Sequence, residues 1–311
     1  MSLARVPCPV CGPGVREIPV WRKNRYRYVR CARCGLIYIN PQLTDESVAR
    51  IYSEQLYDQK SDRLDLLLPR LDHYKAGLLR GLEKYRRTGQ LLDVGCFKGF
   101  FIYSAARRGW TAVGTEVSRP AVRFARRELG LTVERGDLLT LDQFQDGGFD
   151  VITLFDVIEH LSRPDLYVRR AHRLLRPGGL LYLETPNVRA LPRFLLGKRW
   201  TIFHRLHRYY FQPGTIERLL RRAGFESIRI TTVGLLPLGT CRDEPGCPAP
   251  QSGHSKGGRR LLERLPIDLL RSIKDGAESL LFVPLDKVGW RIGTKMIVRA
   301  QRGDGTHGFA G

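Results

Sequence analysis

From residue 89 onward the chain alternates short apolar runs with helical periodicities, and that alternation restricts the fold more than any other feature. Leu91–Val94, Ala112–Glu116, Leu131–Glu134, Val151–Phe155, Leu180–Glu184 and Phe225–Thr232 read as strands, and Thr294–Arg299 as a last one. Helices are expected between them at Phe100–Arg108, Pro120–Leu129, Pro164–Leu175 and Thr215–Arg222. Pro177-Gly178-Gly179 stops the third of these. Strand and helix alternating at this spacing predict an α/β fold, a parallel sheet with helices on both faces.

Five segments are expected. Residues 1–40 form a small module, with strand-like stretches at Arg25–Arg30 and Gly35–Ile39 and Pro41 closing it. Residues 41–88 form a helical link. One helix starts at about Thr44 with Asp45 and Glu46 in its first turn, and a second covers Asp65 to Tyr85. Residues 89–235 are the α/β core, and 236–300 supply a loop, a helix and the final strand. The loop, 238–258, is rich in Gly, Pro, Ser and Cys. The helix, Leu261–Leu281, is amphipathic and basic at its start; it suits packing, a site cover, a dimer contact or a membrane surface. Residues 301–311 read as a disordered tail.

The 311 residues suffice for one large and one small domain. No apolar run approaches the ~20 residues of a membrane-spanning helix. Cys8 and Cys11 stand where a signal peptide would carry its apolar region, so a cytoplasmic protein is expected. The formal net charge is +21, which suits an acidic partner, but the basic residues look spread over many helix faces.

Seven cysteines, an odd number, argue against a disulfide framework. Cys8-Pro-Val-Cys11 and Cys31-Ala-Arg-Cys34 are two C-x-x-C pairs, each followed by glycine. Each pair can sit on a tight turn aiming two thiolates at one point, and four such sulfurs suit tetrahedral Zn²⁺. So small a stretch lacks a core of its own, so metal binding supplies its folding energy. Four Cys ligands leave no open position, so this zinc is structural. Cys241 and Cys247 read as free thiols.

Leu91-Leu-Asp93-Val-Gly95-Cys-Phe-Lys-Gly99 is a strand, a glycine turn and a helix start, with Glu116 at the end of the next strand. Such a turn lets a ligand approach the backbone, and Glu116 suits ribose hydroxyls. A nicotinamide enzyme would show a similar layout.

Further segments narrow the reading. Gly114-Thr-Glu116, Gly136-Asp137, Phe149-Asp-Val-Ile-Thr-Leu-Phe-Asp156-Val-Ile-Glu-His160 and Leu175-Arg-Pro-Gly-Gly-Leu follow the glycine turn in order. Together they resemble the class I S-adenosylmethionine-dependent methyltransferases that carry a leading four-cysteine zinc module. Gly35-Leu-Ile-Tyr-Ile-Asn-Pro41 and Gly293-Thr-Lys-Met-Ile-Val-Arg extend the resemblance over nearly the whole chain. The resemblance implies a Rossmann-like, doubly wound sheet of seven strands with the last antiparallel, behind a zinc-ribbon-like module. It implies S-adenosylmethionine as cofactor, with Asp93, Gly95, Cys96 and Gly99 at its amino acid end and Glu116 on the ribose. Asp137 and Leu138 then lie beside the adenine, and Phe155 and Asp156 border the methionine. Phe97 stands where the family has glycine, so its ring must point away from the cofactor or fill part of its site.

A sulfonium methyl is already activated, so catalysis is mainly alignment, with a base needed if the acceptor is a hydroxyl. His160 and His207 are the candidate bases; Tyr209, Tyr210 and Thr185-Pro-Asn187 are candidate acceptor contacts. Arg189, Arg193, Lys198, Arg199, Arg205 and Arg208 concentrate positive charge on that side and suit an anionic acceptor. The leading expectation is O-methylation of a small molecule: a saccharide, cell-envelope or secondary-metabolite intermediate. An RNA methyltransferase and a non-catalytic binding protein of the same fold are the rivals. Oligomeric state is not legible.

Overall fold

The computed structural model describes residues 2–55, 68, 71, 75–234 and 291–304. The expected loop at 238–258, the helix at 261–281, Cys241 and Cys247, and the tail beyond 304 lie outside the described residues, as does most of 56–74.

Seven strands form the main sheet: β6 (Gln90–Val94), β7 (Thr111–Glu116), β8 (Thr132–Arg135), β9 (Phe149–Phe155), β10 (Leu175–Pro186), β12 (Phe225–Val233) and β13 (Lys295–Arg302). Their order is β12-β13-β10-β9-β6-β7-β8. Strands β10, β9, β6, β7 and β8 run parallel, and β13 is antiparallel to both β10 and β12. This is the doubly wound sheet with a reversed last strand that the sequence implied. Buried apolar side chains dominate β9 and β10, as strands covered on both faces require.

The helices are α1 (Asp45–Gln55), α2 (Ala76–Glu83), α3 (Phe100–Ala106), α4 (Arg119–Glu128), α5 (Pro164–Leu174), α6 (Leu191–Leu196) and α7 (Pro213–Arg222). Pro177-Gly178-Gly179 ends α5 as expected, yet it lies inside β10, where the register against β9 shifts between Leu175 and Leu180. The final strand continues through Arg302, so its last residues are not part of a loose tail.

The N-terminal region holds more strand than expected. β2 (Glu17–Lys23), β3 (Tyr26–Cys31) and β4 (Ile37–Ile39) form a second sheet, and β1 (Leu3–Ala4) pairs with β5 (Gln42–Leu43). Asn24, at a positive φ of 54°, makes the β2–β3 turn. The fourth strand of this sheet comes from far away in sequence: β11 (Tyr209–Tyr210) pairs with β4. An aromatic cluster seals the joint. The Trp21 ring stacks on Tyr28 at 5.4 Å, and Phe203 sits edge-on to Trp21 at 4.9 Å.

Candidate functional site

The chain leaves β6 toward β7 and enters β9 on the other side, so the β6/β9 boundary is a switch in strand order. In open parallel sheets a crevice forms there, outside the carboxyl ends of the strands. The glycine turn, Glu116, Asp137 and residues 156–160 all follow strand ends on this one rim.

Gly95 begins the turn at φ 70°, with its N–H donating to the Thr115 carbonyl at 2.8 Å. A Cβ there would lie 2.7 Å from a Val157 methyl, so only glycine fits. Phe97 also has a positive φ, 52°, which costs a non-glycine residue roughly 1–2 kcal/mol. The turn thus keeps the path glycine would take, and the Phe97 N–H reaches the Glu116 Oε2 at 3.0 Å. The Phe97 ring is half-buried beside Lys98, whose ammonium also lies 4.9 Å from the Phe124 ring centre. Cys96 offers the rim its backbone only. Its thiol is buried, and a Cβ on Gly114 would stand 2.4 Å from its sulfur.

The acidic groups divide into two kinds. Asp93 is buried and accepts from the Thr153 hydroxyl at 2.6 Å; burial pushes its carboxyl up to about 7. Glu116 accepts N–H groups on both oxygens, from Phe97 and from Ser118 at 2.8 Å, yet burial still raises its pKa. Asp137 accepts from the Leu139 N–H at 2.8 Å and from the Tyr167 hydroxyl, with Leu138 buried beside it. Asp156, at φ 52°, pairs with Lys295 at 2.8 Å. Lys75 pairs with Glu184 at 3.0 Å and lies 4.1 Å from the Phe155 ring centre, a position a cation favours.

Further along the rim three imidazoles meet. His207 lies 4.7 Å from His160 and 3.8 Å from His204, ring centre to ring centre. Burial, opposed in part by the Leu206 bond, lowers His160 to about 4, and burial also lowers His207 well below its ordinary value; His204 keeps an exposed edge. His160 donates from Nδ1 to the Leu206 carbonyl at 3.0 Å in the tautomer that this partner selects, leaving Nε2 as its accepting nitrogen. Glu159 is 1% exposed, and burial raises its carboxyl to about 8. Sequence reasoning singled out His160 and His207 but missed His204 and Glu159. The close spacing of His204 and His207 was the available signal.

Other expectations meet a different environment. Tyr209 and Tyr210 are buried and donate to the carbonyls of Ser162 and His204. Asn187 spends its amide on the carbonyls of Arg291 and Gly293, fastening β13 to the rim. Arg208 is buried and pairs with Asp45 at 2.5 Å, so it holds the fold together and does not offer charge to an acceptor. The basic residues are not evenly spread, either. Arg119, Arg123, Arg126, Arg127 and Arg135 surround one groove of about 550 Å³ along α4 and the end of β8.

The sulfurs of Cys8, Cys11, Cys31 and Cys34 lie within 4.8 Å of one another, those of Cys8 and Cys34 at 3.6 Å. Gly12 and Gly35 donate to the carbonyls of Cys8 and Cys31, closing the two turns. Burial and the neighbouring sulfurs push Cys11 up to about 11, a penalty that a cation at the centre reverses. The donor set fits a tetrahedral zinc ion.

A family profile described as "Methyltransferase domain" matches residues 62–230, more than half of the chain. The chain belongs to this methyltransferase family. Among curated relatives, the chain is 34% identical over 157 residues to the ubiquinone biosynthesis O-methyltransferase of Agrobacterium fabrum, covering 46% of this chain and 62% of that protein. It is 30% identical over 162 residues to the same-named protein of Thiobacillus denitrificans, covering 48% and 69%. The chain therefore spans less than two thirds of the first of these. Among solved structures it is similar to a SAM-dependent methyltransferase from Archaeoglobus fulgidus, with 17% identity, a TM-score of 0.49, and coverage of 78% of this chain and all of that one. The rim suits S-adenosylmethionine by the chemistry of its donor set. Two carboxylates, the buried Asp93 and the half-buried Glu116, are held above their ordinary pKa beside the turn, and a ligand carrying sulfonium and ammonium charge would favour their ionised forms.

Proposed function

We propose that this methyltransferase transfers a methyl group from S-adenosylmethionine to a hydroxyl oxygen of a small molecule. The observation that carries the reading is the pairing of two features on one rim. One is an incompletely neutralised carboxylate pair at the glycine turn; the other is a corner of neutral imidazoles. Asp93, Gly95, Cys96 and Gly99 would hold the amino acid end of the cofactor, Cys96 through its backbone. Glu116 would take the ribose, Asp137 and Leu138 the adenine, and Phe155 with Asp156 the methionine. When bound, the cofactor supplies a methyl group on an activated sulfonium. The protein's task is to hold the acceptor oxygen in line with it and to receive the hydroxyl proton. Nε2 of His160 and the ring of His207 would be the groups that receive it, since both imidazoles are neutral at pH 7. The names of the curated relatives support O-methylation, and an acceptor of the saccharide, envelope or secondary-metabolite class suits a rim site of this kind. The four cysteines would hold structural zinc.

The test is a titration with S-adenosylmethionine followed by a labelled-methyl assay on cell extracts. Saturable binding and a labelled small molecule that releases its label only under ether-cleaving conditions are expected. No binding heat would leave a non-catalytic protein of this fold, and label on nitrogen or carbon would overturn O-methylation.

The arginine groove favours a second reading, an RNA acceptor, since clustered guanidinium groups bind phosphates. A steep loss of RNA affinity with salt, with label in the RNA fraction, would select it.

A further inference from the structure

We propose that Glu159, His160 and His207 form a second metal site, one that binds a divalent transition ion such as Zn²⁺ or Co²⁺ with coordination positions left open. One ligand atom from each of these residues lies within 4.8 Å of the others. Glu159 carries the most telling detail. Its Oε2 accepts from the Thr185 hydroxyl at 3.0 Å, while its buried Oε1 has no partner among the described residues. A carboxyl oxygen withdrawn from water is costly to leave without a partner, so an unpartnered one inside the fold points to something that binds it. The donors around it are imidazoles, which are metal ligands in their neutral form.

The surroundings are built to hold this geometry. The N–H groups of Arg208 and Tyr209 both donate to the Glu159 carbonyl, at 2.8 and 3.2 Å, locking the segment after His207 onto Glu159. The His160 Nδ1–H donates to the Leu206 carbonyl, the kind of outer hydrogen bond that orients a metal-binding imidazole. His204 packs against the His207 ring at 3.8 Å between ring centres and supports it, while lying 6.4 Å from His160. Two histidines and one carboxylate suit Zn²⁺ or Fe²⁺ and leave room for an exogenous ligand. The four-cysteine cluster, by contrast, has no such room.

This inference rests on the O-methyltransferase reading only for what the open position does. There the acceptor hydroxyl would bind the ion, lose its proton to water, and attack as an alkoxide or phenolate. Its lone pair forms the new O–C bond, while the pair of the broken C–S bond stays on sulfur. His160 and His207 then act as ligands, and the ion takes over the lowering of the hydroxyl pKa.

The experiment equilibrates the full chain with Co²⁺, removes the excess and reads both stoichiometry and spectrum. About two ions per chain are expected. One should show near-ultraviolet thiolate charge-transfer bands; the other should add visible bands only. Glu159→Gln and His207→Ala, each checked for a native circular dichroism spectrum, should drop to about one ion and keep the thiolate bands. His204→Ala should keep both ions. About one ion per wild-type chain would overturn the proposal, as would a second ion that survives in both ligand variants. If the second ion binds and labelled methyl never reaches oxygen, the metal site stands and the O-methylation reading falls.

Discussion

Two buried aspartates on neighbouring strands have opposite circumstances. Asp150, at the start of β9, accepts three backbone N–H groups from Arg87, Thr88 and Gly89 at 2.7–2.8 Å, and an Arg176 guanidinium besides. Those bonds outweigh its burial and hold its pKa below the ordinary value. Asp93, near the end of β6, has a single hydroxyl on one oxygen, and burial wins. One end of the sheet is thus electrostatically finished and the other is not. The unfinished end is the one on the rim, where a cationic ligand would complete it.

The largest test of that contrast is Asp150→Ala. It strands a partly buried arginine and three N–H groups and should cost about 3 kcal/mol or more in a denaturant titration. A loss under ~1 kcal/mol would remove the contrast. The wild-type contribution holds at neutral pH and should be lost as pH falls through the depressed folded pKa. Next, Asp93→Asn and Glu116→Ala should each weaken S-adenosylmethionine binding by roughly 10- to 100-fold, the scale of a hydrogen bond to a charged group. Asp93 has the opposite sign of pH dependence in the ligand-free protein. Its folded pKa is raised, so its contribution is present in acid and lost as pH rises through about 7. Asp93→Asn should therefore leave the ligand-free chain at least as stable as wild type at pH 8; a clear drop in melting temperature there would equate it with Asp150. In wild type, cofactor affinity should climb by up to about tenfold per unit below pH 7 and level off above it, and a flat calorimetric profile would remove Asp93 from the binding step. The smallest effect belongs to Phe97→Gly. Relief of the left-handed strain and the added chain entropy of glycine nearly offset each other, leaving stability within ~1 kcal/mol. A tenfold or greater gain in cofactor affinity would show the ring narrowing the site.

The strand and helix alternation was legible because each parallel strand is a short apolar run buried on both faces, as β9 shows. The reversed last strand came from resemblance, since no local pattern distinguishes strand direction. Both C-x-x-C pairs were legible because ligand spacing is local. β2 was not, because none of its seven residues is fully buried and it carries Pro19, so the pattern is weak. The site's corner was legible only in part, through His160 and His207. Glu159 lies among apolar residues in sequence, and its neighbour His207 reaches it only through pairing across 48 positions. Arg208 misled for a similar reason: charge in a sequence does not reveal that this residue meets Asp45 inside the fold.

Because Tyr209–Tyr210 supplies the outer strand of the N-terminal sheet, that sheet remains incomplete until the segment around residue 210 has been made. The cysteine pairs emerge far earlier. An ion caught by them would order the first turns long before their edge is closed, and closing that edge with β11 also brings the histidine segment against Glu159.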